Sequence, residues 1–145
     1  KRAPQRQAYR LLELRRFSQA LDIPLHPEPR FFPVAGDPAA RLITAVAQHD
    51  GDEAAMRLTG AVLAAVWAQE RDIADDGTLA ALLAESGLGA ERLAQSRQPE
   101  VQARYDEHTQ AAIDLNVFGA PSYVIDGELF WGQDRLDFVA RRLRA

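Results

Sequence analysis

Val117-Phe118-Gly119-Ala120-Pro121-Ser122-Tyr123-Val124-Ile125-Asp126-Gly127-Glu128-Leu129-Phe130-Trp131-Gly132-Gln133-Asp134-Arg135 is where this chain changes period. Upstream, apolar residues recur every three or four positions, the spacing of an amphipathic helix. Here Ser122 to Ile125 is short and rich in strand formers, and Glu128 to Trp131 answers it across Asp126-Gly127. An Asp-Gly pair suits a type I′ turn, whose two central residues both need positive φ. The stretch therefore predicts a β-hairpin, broken at Gly132 and followed by a helix opened by Gln133 or Asp134. A lone hairpin is not a stable sheet. Its apolar residues call for further strands, from outside this sequence or from another chain.

Two short pieces of the stretch have chemical potential. Pro121 cannot donate to a ladder, so it belongs at the mouth of the strand. It either simply starts that strand or follows a cis bond. In the second case the Ala120 N–H and C=O turn outward, where an extended peptide can pair with them. The other piece is Gly132-Gln133-Asp134-Arg135, a helix start with unpaired N–H groups and the positive end of a dipole. A ligand carboxylate suits that place, and Asp134 suits an ammonium group. Equally, Asp134 is an N-cap and Arg135 a solvated side chain.

Working outward, Leu136, Val139 and Leu143 form an apolar stripe on the last helix. A long helix starts at Pro99, with Val101, Tyr105, His108, Ala112 and Leu115 on one face. Short helices are expected over 78–85 and 89–95. Asp37-Pro38 reads as an N-cap with proline in the first turn, and that helix ends near Gly51. Asp52 caps the next, whose second half, Ala61 to Ala68, is apolar all round and so buried. The first helix runs from about Gln5 to Leu21. Pro24, Pro27, Pro29 and Pro33 make residues 22–36 an extended connector. Tyr9, Tyr105 and His108 read as core or interface residues, and Phe31, Phe32, Trp67 and Trp131 as core or an aromatic pocket.

The 145 residues are 47% apolar and 26% charged, enough for a globular core. A net charge of −4 gives no general attraction to nucleic acid or anionic lipid. No apolar run is long enough for a membrane span, and Lys1-Arg2-Ala3-Pro4 does not open a signal peptide. There is no cysteine, hence no Cys-x-x-Cys redox pair in these residues. His26, His49 and His108 lack ligand-spaced partners, so no metal site is expected.

Phe118-Gly119-Ala120-Pro121 and Trp131-Gly132-Gln133-Asp134-Arg135, joined by the Asp126-Gly127 hairpin, resemble the C-terminal signature of the 2-hydroxychromene-2-carboxylate isomerases. The kappa-class glutathione transferases are their near relatives. Trp67 with Arg71-Asp72-Ile73-Ala74-Asp75, Pro4 to Tyr9, and Ile23-Pro24-Leu25 extend the likeness over nearly the whole chain.

The resemblance implies an α/β, thioredoxin-like fold interrupted by a helical insertion domain. Residues 1–98 would be the insertion, and residues 99–145 the C-terminal part of the thioredoxin-like domain. It implies glutathione as cofactor, a small aromatic substrate, a homodimer and a cytoplasmic location, with a role in aromatic breakdown. Ala120 and the cis Pro121 would meet the cysteinyl backbone, and Gly132, Gln133, Asp134 and Arg135 the γ-glutamyl end. In such enzymes a serine on an N-terminal strand-loop-helix unit favours the glutathione thiolate. No residue here matches it, so that unit is expected outside this sequence and no catalytic residue is assigned. A lysine common in the family's first helix is replaced by Arg6, which keeps the charge but not the geometry. Three other readings share these residues. One is a kappa-class-like transferase, one a thiol–disulfide oxidoreductase whose Cys-x-x-Cys would lie upstream, and one a binding or assembly module indifferent to glutathione.

Overall fold

The computed structural model describes residues 3–145, so the first two positions of the 1–98 segment, and Lys1 and Arg2 of the opening, lie outside it. The described residues form seven helices and one hairpin, in the order α1 (Pro4–Leu21), α2 (Asp37–Asp50), α3 (Asp52–Trp67), α4 (Asp76–Glu85), α5 (Glu91–Gln95), α6 (Pro99–Asp114), β1 (Ser122–Ile125), β2 (Glu128–Trp131) and α7 (Leu136–Arg142). Among the described residues no helix is long and apolar enough to cross a membrane. The chain divides into two compact units inside α6, between Gln102 and Ala103.

The first unit is built on α2 and α3. Their contact faces carry Leu42 and Val46 against Ala54, Ala55, Leu58, Val62, Ala65 and Val66, all buried. The many alanines let the two backbones approach closely, and the leucines fill the space that remains. Ile73 and the α4 residues Leu79, Leu82 and Leu83 complete this core. The all-round apolar half of α3 is thus largely explained, although Leu63 on its outer face stays exposed. α1 contributes no buried residue, and Tyr9 is half exposed rather than core.

The helix starts differ from the sequence expectation in a consistent way. Gly36 and Gly51, not Asp37 and Asp52, occupy the N-cap positions of α2 and α3, and both aspartates fall in the first turn. There they still oppose the positive end of the dipole. The one aspartate among these starts that caps with its side chain is Asp75, whose carboxylate accepts from Thr78 N–H at 2.7 Å and begins α4 two residues earlier than expected.

The connector 22–36 is tied to the end of α3. His26 N–H donates to the Trp67 carbonyl at 2.7 Å, and Arg30 N–H to Glu70 Oε1 at 3.1 Å. These bonds hold Phe32 against Trp67, with ring centroids 4.7 Å apart.

The second unit contains the rest of α6, the hairpin and α7. Asn116, at φ 58°, ends α6 as a left-handed residue. Val117 N–H reaches back to Ala112 C=O, and Asn116 N–H to Ile113 C=O, each at 2.9 Å, the two bonds of a Schellman cap. β1 and β2 pair antiparallel, with Ser122 opposite Trp131 and Ile125 opposite Glu128. Asp126 and Gly127 turn at φ 51° and 80°. α7 lies against β1, and Arg142 at its end bonds Asp126 at 3.0 Å. The expected stripe on α7 is only partly covered. Val139 is buried, but Leu136 and Leu143 are exposed, because a two-stranded ribbon is too narrow to cover three positions spread over two helical turns. On α6 only Val101 of the expected face is buried, and His108 is exposed.

One ion pair joins distant parts of the first unit. Arg92 of α5 holds Asp50, the last residue of α2, through Nε–Oδ2 at 2.7 Å and Nη2–Oδ1 at 2.8 Å. A carboxylate at the negative end of a helix is unfavourable alone. The bidentate hydrogen bond from Arg92 reverses that and holds the Asp50 carboxyl below its usual range, while burial opposes the shift. Its contribution to stability is therefore present above the ordinary carboxylate pKa and is lost as pH falls through the depressed value of the folded state. We expect the urea midpoint of the protein to drop between about pH 5 and pH 2, and the Asp50→Asn variant to show a smaller drop over the same interval. Equal drops in the two proteins would mean that the pair contributes nothing to folding.

Candidate functional site

The two chemically suggestive pieces of sequence meet at the open end of the hairpin. Register alone would place Pro121 opposite Gly132, one step beyond the Ser122–Trp131 pair. The structure adds the bond itself: Gly132 N–H donates to Pro121 C=O at 3.0 Å. Ala120-Pro121 and Gly132-Gln133-Asp134-Arg135 therefore stand at one rim, within one compact unit.

The Ala120–Pro121 bond is cis, one of the two alternatives that the sequence left open. Ala120 is exposed, and its N–H and C=O have no backbone partner among the described residues. They are free to pair with an extended peptide as an added strand would. Behind them, Ser122 Oγ donates to Gly119 C=O at 2.6 Å and fixes the turn into β1.

Gly132 sits at φ 112°, ψ 145°, a region that only glycine occupies without strain. A Cβ there would also stand 2.5 Å from Asp134 Oδ1. The tight backbone brings the Asp134 carboxylate back over the end of β2.

The turn after Gly132 differs from the expected helix start. Residues 133–135 form one 3-10 turn, and α7 begins only at Leu136. Asp134 is not a cap: no side-chain cap bond forms at this turn or at the start of α7. Its Oδ2 instead accepts from Arg135 Nη1 at 2.6 Å, with both side chains about half exposed. The rim thus presents a carboxylate and a guanidinium side by side, which can receive the ammonium and carboxylate of a zwitterion.

An aromatic pair that sequence reading had not joined flanks this rim. Phe118 and Trp131 meet edge to face with centroids 5.1 Å apart, yet Phe118 is 71% and Trp131 51% exposed. Trp131 is therefore not a core residue. The missed signal was Gly119, over which the Trp131 indole packs.

A family model described as "DSBA-like thioredoxin domain" matches residues 1–144. The chain is 36% identical over 133 residues to the 2-hydroxychromene-2-carboxylate isomerase of Pseudomonas putida, covering 88% of this chain and 61% of that protein. It is 37% identical over 136 residues to the protein of the same name from Pseudomonas sp. (strain C18), covering 88% and 58%. A solved structure of a 2-hydroxychromene-2-carboxylate isomerase superposes with a TM-score of 0.76 at 27% identity, over 94% of this chain and 65% of that one. The chain thus spans about six-tenths of the length of these relatives.

The contact at Gly119 gives a direct test of the rim. A Cβ at this position would stand 2.6 Å from Trp131 Nε1, so the indole must move. In a Trp67→Phe background, Gly119→Ala should red-shift the remaining tryptophan emission as the indole swings into water. Because Trp131 is already half exposed, the cost in stability should stay below about 1 kcal/mol. Unchanged emission would mean that the indole does not pack over Gly119.

Proposed function

The chain belongs to the DSBA-like thioredoxin family, and from that premise we propose that it acts as a glutathione-dependent cis–trans isomerase of the 2-hydroxychromene-2-carboxylate type. The observation that carries the reading is the Gly132–Pro121 hydrogen bond, which sets a free peptide edge at Ala120 beside the Asp134–Arg135 charge pair. Glutathione is a short peptide with a zwitterionic γ-glutamyl end. It needs a backbone edge and two opposite charges a few ångströms apart, and the rim offers both. The names of the relatives supply the reaction and an aromatic carboxylate as its substrate.

In this reading Ala120 pairs its N–H and C=O with the cysteinyl backbone, and Pro121 keeps that edge out of the ladder. Asp134 takes the γ-glutamyl ammonium group, Arg135 takes the carboxylate, and the Gly132 and Gln133 backbone sets the floor. When bound, glutathione supplies a thiol that adds reversibly to the unsaturated substrate, so that a former double bond can rotate. The task of the chain is to hold the peptide in one orientation, so that its thiol meets the unsaturated carbon of the substrate in a fixed geometry. Phe118 and Trp131 offer exposed ring surface beside the bound peptide, suited to an aromatic substrate.

Calorimetric titration of glutathione into the protein should show binding, and Asp134→Ala should weaken it by about 1 kcal/mol, roughly fivefold in Kd, the value of an exposed charge-assisted hydrogen bond. Conversion of 2-hydroxychromene-2-carboxylate to trans-o-hydroxybenzylidenepyruvate should require glutathione without consuming it. Stoichiometric loss of glutathione would instead indicate conjugation, as in the kappa-class transferases. Absence of any glutathione binding would remove the reading.

A further inference from the structure

The open backbone at Ala120 follows the residue type least able to aim it. Glycine has the widest choice of backbone conformations, so Gly119 needs outside restraint to hold one of them. Glycine is nonetheless required there. A Cβ at Gly119 would stand 2.6, 3.2 and 3.3 Å from Nε1, Cε2 and Cδ1 of Trp131, three atoms of the five-membered ring. Only a residue without a side chain lets the indole lie so close.

Two side chains supply the restraint. The Trp131 ring covers one side of Gly119. Ser122 Oγ donates to the Gly119 C=O at 2.6 Å, a short and partly buried bond. No backbone N–H of the described residues reaches that carbonyl. Ser122 and Trp131 stand opposite each other across the hairpin, so one register sets both.

The Gly119 C=O and the Ala120 N–H belong to the same peptide group. That group is planar and trans, the cis bonds of the described residues being those before Pro33 and Pro121. In a trans peptide the C=O and the N–H point in opposite directions. With the carbonyl drawn to the Ser122 hydroxyl, the Ala120 N–H faces away from it, on an exposed residue. Holding one end of the plane aims the other.

We propose that Ser122, supported by Trp131, is a positioning residue for the peptide-binding edge. Its hydroxyl sets the Gly119–Ala120 peptide plane so that the Ala120 N–H is presented to a backbone carbonyl of the bound peptide. This role rests on the glutathione reading of the rim, and it is exerted through Gly119 rather than on the ligand. Alanine at 122 leaves the Gly119 carbonyl without its donor and the plane free to turn about the glycine dihedrals. Threonine keeps the hydroxyl and suits a strand.

The test is calorimetric titration of glutathione into the wild type, Ser122→Ala and Ser122→Thr, with backbone amides followed by NMR. Ser122→Ala should weaken binding about fivefold, the value of one hydrogen bond, and Ser122→Thr should restore it. At saturation the Ala120 amide proton of the wild type should move downfield. In Ser122→Ala that movement should shrink while the shifts at the Asp134 and Arg135 amides persist. A Ser122→Ala variant that binds as the wild type does would overturn the role while leaving the glutathione reading in place. So would a Ser122→Thr variant as weak as Ser122→Ala, or an equal loss of all three amide shifts, the mark of a generally disturbed hairpin. Absence of binding by the wild type would remove both the role and the reading.

Discussion

A single backbone hydrogen bond, from Gly132 N–H to Pro121 C=O, determines what the end of the hairpin can do. It extends the ladder one step past the last regular pair and then stops it. Proline has no N–H to return, and Gly132 turns away at a positive φ. A central strand would continue pairing at this point. Here the backbone of Ala120 is left open while the residues on both sides are fixed. Such an edge is ordinarily a hazard, because it invites pairing with any extended chain. Confined to one residue and bordered by charge, it would in the proposed function be selective for a short charged peptide.

The helical unit depends on a different constraint, the close approach of α2 and α3. Alanines at 54, 55 and 65 keep the interface thin, and Leu42 and Leu58 are fully buried in it. Because α3 is held rigidly, its C-terminal end is a fixed anchor. The Trp67 carbonyl takes the His26 N–H, and the Trp67 ring takes Phe32. A proline-rich connector that would otherwise be mobile is thereby given a defined course.

Local signals in the sequence translated well where the chemistry was local. Asp126-Gly127 fixed the hairpin and its register, since a type I′ turn leaves no freedom in pairing. Pro4, Pro38 and Pro99 marked helix starts because proline is accepted only in the first turn. The cap positions were misread where glycine precedes aspartate. At Gly36-Asp37 and Gly51-Asp52 the glycine backbone takes the cap position and the acid becomes part of the helix. Asp75 was missed because Asp76 stands beside it, and only geometry decides which carboxylate turns back to Thr78. At the candidate site the residues were legible and their pairing was not. The carboxylate of Asp134 faced two options, capping or ion pairing, and the 3-10 turn decided for Arg135. Phe32 and Trp67 were read together as core or an aromatic pocket, but the place of Arg10 beside them was not legible, for a plainer reason. These residues are far apart in sequence, and no periodicity relates a helix face to a loop aromatic.

The Asp134–Arg135 pair also bears on how such a rim can both wait and bind. An ion pair between half-exposed side chains is worth little, between nothing and about 1 kcal/mol, because water solvates the separated charges nearly as well. The pair is therefore inexpensive to open. In the proposed function it would keep both side chains near their working positions, so that less conformational freedom would be lost when a zwitterion replaced each partner. Burying the pair would have strengthened it and made it a competitor of the ligand, since an incoming charge would then have to displace a desolvated partner. Half exposure is the compromise between these effects, and the positive φ of Gly132, which brings Asp134 back toward β2 without burying it, is what sets it.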